Sequence, residues 1–177
     1  MAIEVINQET IYRGRAFNVR SDEVRFQNMN TAHLDIIEHA GAVTILPLDA
    51  SGRILFIRQY RHAVGKELLE LPAGTLDQAE SPENCALREI REETGFAADK
   101  LVKIGEFYLA PGYSTEFMVV YLATDLHPDP LPGDEDEFII LEPVPIAQAY
   151  EMAITGVLQD GKSLATLLLA QPLIYNI

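Results

Sequence analysis

The chain has 177 residues, 48% of them hydrophobic, enough for one packed domain and too many for a disordered chain. A formal net charge of −14 argues against nucleic acid or an anionic membrane as a partner. The single cysteine, Cys85, excludes an intrachain disulfide, and no run reads as a signal peptide or membrane span, so a cytoplasmic protein is the expectation.

In chain order, short alternations of apolar and polar residues at 3–6, 16–26 and 33–37 predict antiparallel strands. Residues 42–48 and 53–60 predict buried strands joined by a turn at 49–52. Residues 68–71 lead into an acidic segment, 74–96, after which 101–109 and 117–123 predict two further strands. Residues 125–136 read as a loop, because Pro128, Pro130, Pro132 and Gly133 break regular structure. A last strand is expected at 138–143. Helices are expected at 146–154 and 163–170, the second capped by Ser163 and ending before Pro172. Strands and helices interleave, which predicts an α/β fold class of the mixed α+β kind.

The acidic segment carries the chemistry. Ser81 suits an N-cap, Pro82 the first helical turn and Gly95 a C′ stop, so a helix should run between them. At about 100° per residue, Glu92 and Glu93 fall within roughly 60° of Glu89 around the axis. Leu87, Ile90 and Thr94 take the other side, so one stripe packs while the opposite stripe presents carboxylates. Acids at i, i+3 and i+4 repel one another unless a cation sits between them. Mg²⁺ takes oxygen ligands and is commonly held by carboxylates together with substrate phosphates. Such a face suits a clamp on a diphosphate.

The spacing Gly74-x5-Glu80-x7-Arg88-Glu89-Ile90-x-Glu92-Glu93-x-Gly95-Phe96 resembles the Nudix box at every defined position. The resemblance implies an α/β/α sandwich, with residues 1–40 as an N-terminal antiparallel β extension and 41–177 as the hydrolase domain. It implies hydrolysis of a nucleoside diphosphate linked to another moiety. Carboxylates matching Glu89 and Glu93 would bind Mg²⁺, with Mn²⁺ as a substitute, Glu92 acting directly or through water. The Ala73 carbonyl would be a further ligand, and Arg88 and Glu80 would orient the acids.

Several stretches resemble bacterial ADP-ribose pyrophosphatases: Glu70-Leu71-Pro72-Ala73-Gly74, Tyr12-Arg13-Gly14-Arg15, Phe56-Ile57-Arg58-Gln59-Tyr60-Arg61, and Pro111 with Glu116 after the box. Gly133-Asp134-Glu135-Asp136-Glu137-Phe138 resembles the acidic loop that supplies the base in those enzymes. There, Glu137 would take a proton from the attacking water, with Glu135 as a metal ligand or the alternative base, and Glu137 could also join the metal ligands. Arg58 and Arg61 suit bidentate contacts to phosphate or ribose. Glu70, Pro111, Glu116 and Arg15 complete the expected substrate contacts. The resemblance also implies a homodimer in which Arg13, Arg15, Phe17 and Arg25 reach the neighbouring chain's pocket. Hydrolysis of ADP-ribose to AMP and ribose 5-phosphate is the leading expectation. GDP-mannose or another nucleoside diphosphate sugar is the near alternative, and a non-catalytic nucleotide-sensing module the distant one.

Residues 156–163 fit G-x-x-x-x-G-K-S, a phosphate-loop pattern. A helix is expected before it and too little chain follows for a parallel sheet, so it reads as a corner between helices, with Lys162 dispensable. The four histidines show no zinc-ligand spacing.

Overall fold

Alternation near the start of the chain builds three strands, β1 (Glu4–Arg13), β2 (Asn18–Arg25) and β3 (Thr31–Glu38), which pair antiparallel in the order β1-β2-β3. The computed structural model describes residues 3–133 and 137–175. The chain forms two units, one of residues 1–41 with 107–118, the other of 42–106 with 119–177.

The second unit holds the apolar runs. Strand β4 (Ala42–Pro47) is buried along its whole length, and β5 (Arg53–Arg61) is buried through its apolar stretch, residues 54–57. The Asp49 carboxylate shapes the turn between them by accepting from the Ser51 and Arg53 N–H groups, each at 2.9 Å. After β6 (Lys66–Glu70) and the short β7 (Ala73–Thr75) comes the helix α1 (Pro82–Thr94). Strands β8 (Phe96–Tyr108), β9 (Phe117–Pro128) and β10 (Ile139–Pro145) follow, then helices α2 (Ile146–Thr155) and α3 (Gly161–Ile174). One sheet has the order β10-β5-β6 and a second has β7-β4-β9-β8. Helix α1 packs on β4 and β7, α2 on β5 and β10, and α3 on β4. This is the mixed α+β architecture expected from the pattern. The core gathers Leu46, Phe56, Leu71, Leu122, Leu158 and Leu167, all buried. No helix among the described residues is long and apolar enough to cross a membrane.

Several boundaries depart from expectation: β1 runs on to Arg13, and β8 begins at Phe96. Strand β9 runs on to Pro128 where a loop was expected, kinked at Asp125 with φ of 57°, because β8 lies beside it in the sheet. Asp160, not Ser163, caps α3. Its carboxylate accepts from the Ser163 N–H at 3.0 Å and from the Ser163 hydroxyl at 2.5 Å. Helix α3 also passes through Pro172, which forfeits one i−4 hydrogen bond near the end of the helix, where few bonds remain to be lost.

Candidate functional site

Helix α1 begins and ends where its residues dictate. The Ser81 hydroxyl accepts from the Asn84 N–H at 3.2 Å, Pro82 occupies the first turn, and Gly95 stops the helix at φ 78° while donating to the Arg91 carbonyl. Such a φ is costly for a residue with a Cβ. Cys85, Ala86 and Ile90 are fully buried, which fixes the rotation of the helix about its axis.

That rotation sets the acids. Glu89 and Glu92 are half-buried and share Arg88 Nη1, at 2.7 and 2.8 Å. The other edge of the Arg88 guanidinium grips Glu80 bidentately, Nε at 3.1 Å and Nη2 at 3.0 Å. This pairing holds the Glu80 carboxyl down at about 2, while its partners hold the Arg88 proton more firmly still. Arg88 is thus ion-paired to three carboxylates, Glu80, Glu89 and Glu92. Glu93 differs from expectation. It is buried at 8% exposure, turned from the solvent side toward β7, where it accepts from the Ala73 N–H at 2.9 Å. Leu87, expected to pack, is only half-buried.

The Glu89 side chain lies over β7 in the space that a side chain at Gly74 would fill. A Cβ at Gly74 would lie 1.7 Å from Glu89 Oε1. Cys85 donates its thiol toward the Thr75 carbonyl at 3.6 Å, and burial pushes its proton affinity up, so it is a packing group and no nucleophile.

Burial and like charge both act on the acids. Glu89 is pushed up to about 7, first by desolvation, then by Glu92 and Glu137, against the pull of Arg88. Glu93 is raised well above the usual range, again first by burial and then by Glu89 and Glu137, with Lys162 opposing. Glu137 is exposed and lies within electrostatic reach of both. Glu135 lies outside the described residues.

Among the described residues no three His, Cys, Asp or Glu side chains form a ready-made metal cage; Arg88 pairs with Glu89 and Glu92 instead. The donor set nonetheless fits a hard divalent cation. It consists of oxygen atoms alone, carboxylates outnumber guanidinium, and the crowding that raises the carboxyl protons is what a second positive charge would relieve.

The expected substrate residues divide. Glu70 is 1% exposed, held bidentately by Arg61 (Nε 2.8 Å, Nη2 2.7 Å) and bonded on Oε2 by Lys162. It is a buried anchor, with no free face for a ligand. Arg61 is committed to it, and Arg58 is paired to Glu142 across β5 and β10 at 2.8 Å. A substrate could reach either guanidinium only by sharing it with a carboxylate. Pro111 and Glu116 belong to the first unit, in a turn where the Ala110 carbonyl accepts from the Tyr113 and Ser114 N–H groups. Arg15 is in the same unit, as are Arg13, Phe17 and Arg25, the last paired to Glu4 at 3.0 Å.

Lys162 is the residue the sequence reading dismissed. The G-x-x-x-x-G-K-S stretch does lie at the corner between α2 and α3, but Lys162 is 12% exposed and turned onto Glu70 and Asp160, the latter at 3.0 Å. The available signal was its position two residues after a capping aspartate, in the first turn of a core helix.

The NUDIX domain model matches residues 38–167. The chain is 34% identical over 162 residues to the ADP-ribose pyrophosphatase of Bacillus subtilis (strain 168), covering 90% of this chain and 88% of that protein. It is 38% identical over 168 residues to the ADP-ribose pyrophosphatase of Mycobacterium tuberculosis (strain ATCC 25618 / H37Rv), covering 93% and 81%. Identity to the GDP-mannose pyrophosphatase of Yersinia pestis (strain Pestoides F) is 39% over a shorter 142 residues, covering 74% and 70%. A crystal structure of an ADP compounds hydrolase superposes with a TM-score of 0.89 at 27% identity, covering 99% of this chain and 96% of that one. With its acid-bearing helix seated on Gly74 and these relatives spanning nearly its whole length, the chain belongs to the Nudix hydrolase family.

Proposed function

We propose that the protein hydrolyses the pyrophosphate bond of ADP-ribose, giving AMP and ribose 5-phosphate, with Mg²⁺ as the metal. The observation that carries this reading is the carboxylate excess on α1, where Glu89 and Glu92 share one guanidinium nitrogen and Glu93 lies buried beside them. Glu89, Glu92 and Glu93 would hold the cation, with the Ala73 carbonyl and Glu137 at hand. Bound there, it would supply charge neutralisation for the phosphate oxygens. Arg88 restrains Glu89 and Glu92 against each other, and the Ala73 N–H restrains Glu93. Glu137 takes a proton from the water that attacks phosphorus, and the bridging P–O bond breaks toward the second phosphate. Its exposure and its reach to Glu89 and Glu93 support that role.

The substrate assignment draws on the two ADP-ribose pyrophosphatases, which match over 90% and 93% of this chain, against 74% for the GDP-mannose enzyme. That third likeness keeps GDP-mannose as the second reading. Phosphatase-coupled release of phosphate with Mg²⁺, measured across ADP-ribose, GDP-mannose, NADH and dinucleoside polyphosphates, should rank ADP-ribose first by kcat/KM. A higher value for GDP-mannose would replace the assignment. Glu137→Gln should lower kcat by orders of magnitude with KM nearly unchanged, and near-normal turnover would remove it from the base role.

We also propose a homodimer through the first unit, supported by Val5, Ile6, Ile11 and Tyr12, which β1 leaves exposed. Sedimentation as a monomer with undiminished activity on dilution would discard this.

A further inference from the structure

We infer that Lys162 and Ser163, at the start of α3, are positioning residues for the acid cluster. They act through the segment Glu70-Leu71-Pro72-Ala73, and the inference rests on the metal-dependent reading above.

The geometry runs through short links. Lys162 bonds Glu70 on Oε2, the oxygen that Arg61 Nη2 also meets, and Asp160 holds the ammonium at 3.0 Å. Ser163, itself buried, accepts from the Leu71 N–H at 2.7 Å, and its own hydroxyl is oriented by donating to Asp160. The next residue, Pro72, has its carbonyl fixed by the Ile45 N–H at 2.8 Å. Ala73 then donates to Glu93 at 2.9 Å, and Gly74 abuts Glu89. The first turn of α3 thus pins two consecutive residues, and the backbone groups that receive Glu93 and Glu89 follow directly.

A phosphate site does not fit Lys162. Its ammonium is bound to two carboxylates beneath the surface, and a helix precedes it where a phosphate loop needs a strand. Neither does mere burial of a spare charge. A buried carboxylate must be paired, but Arg61 already meets both oxygens of Glu70. The second cation holds that carboxylate from the α3 side.

The test is calorimetric titration of the full chain with Mn²⁺ alone, without substrate, on the parent, Lys162→Met and Ser163→Ala, with circular dichroism to verify folding. Residues that support metal ligands from behind typically change metal affinity tenfold or more. Folded Lys162→Met should therefore bind Mn²⁺ about tenfold more weakly than the parent, and Ser163→Ala, which keeps every charge, should shift by less in the same direction. A purely structural role would lower the melting temperature and leave Mn²⁺ affinity unchanged in the folded protein, and that result overturns the inference. If Lys162→Met does not fold, parent-like Mn²⁺ affinity in Ser163→Ala overturns it equally. A parent that binds no Mn²⁺ sinks the metal reading and this inference with it, whereas parent-like variants sink only the positioning role.

Discussion

Around Arg88 one guanidinium serves three carboxylates, Glu80, Glu89 and Glu92, whereas around Glu70 two cations, Arg61 and Lys162, converge on one buried carboxylate with Asp160 alongside. Both clusters sit in the second unit and both are partly shielded from water. Their balance differs. The first has an excess of negative charge that burial and Glu137 make worse, so the carboxyl protons of Glu89 and Glu93 are held abnormally tightly. The second is neutral, and Glu70 is kept ionised by its partners against its burial. An unbalanced cluster stores a demand for a cation and suits chemistry. A balanced one suits architecture.

The comparison can be broken in order of expected effect. Glu93→Gln takes a buried acid from the unbalanced cluster and should lower ADP-ribose hydrolysis at least a thousandfold, equivalent to roughly 4 kcal/mol of transition-state stabilisation. Circular dichroism should show the fold retained. Glu70→Gln strikes the balanced cluster and leaves Arg61 and Lys162 facing each other, so urea unfolding should show a loss of about 3 kcal/mol. If Glu70→Gln instead left stability intact, the architectural reading of that cluster would fail. Gly74→Ala inserts a methyl group where Glu89 sits and should cost about a hundredfold in kcat, the usual effect of misplacing a reacting constellation by an ångström or so. Ser81→Ala should cost about 1 kcal/mol of stability through the lost N-cap.

The smallest effect concerns pH. The Glu80 carboxyl lies at about 2 in the folded chain against an ordinary 4.5, so its contribution is complete above pH 4.5 and is lost as pH falls toward 2. Arg88→Met should remove that part of the acid-induced loss, read as a shallower fall in melting temperature across the window.

Much of α1 was legible because its signals are local. Ser81, Pro82 and Gly95 act on backbone groups within one turn, and the tertiary structure had no reason to override them. The strands β4 and β5 were legible for a similar reason, since β4 and residues 54–57 of β5 are buried and form short, largely apolar runs. The tail of β9 was not legible. Pro128 and Asp125 disfavour a strand by propensity, and only the presence of β8 as a neighbour makes one.

The sequence by itself determined the fold class, the limits of the acid-bearing helix and the angular grouping of Glu89, Glu92 and Glu93, because helical periodicity and capping are properties of adjacent residues. Only the tertiary structure decided that Glu93 turns inward to Ala73, that Glu89 lies over Gly74, and that Lys162 meets Glu70 from 92 residues away. Burial and long-range charge pairing depend on which elements come to lie against one another, and local spacing does not encode that.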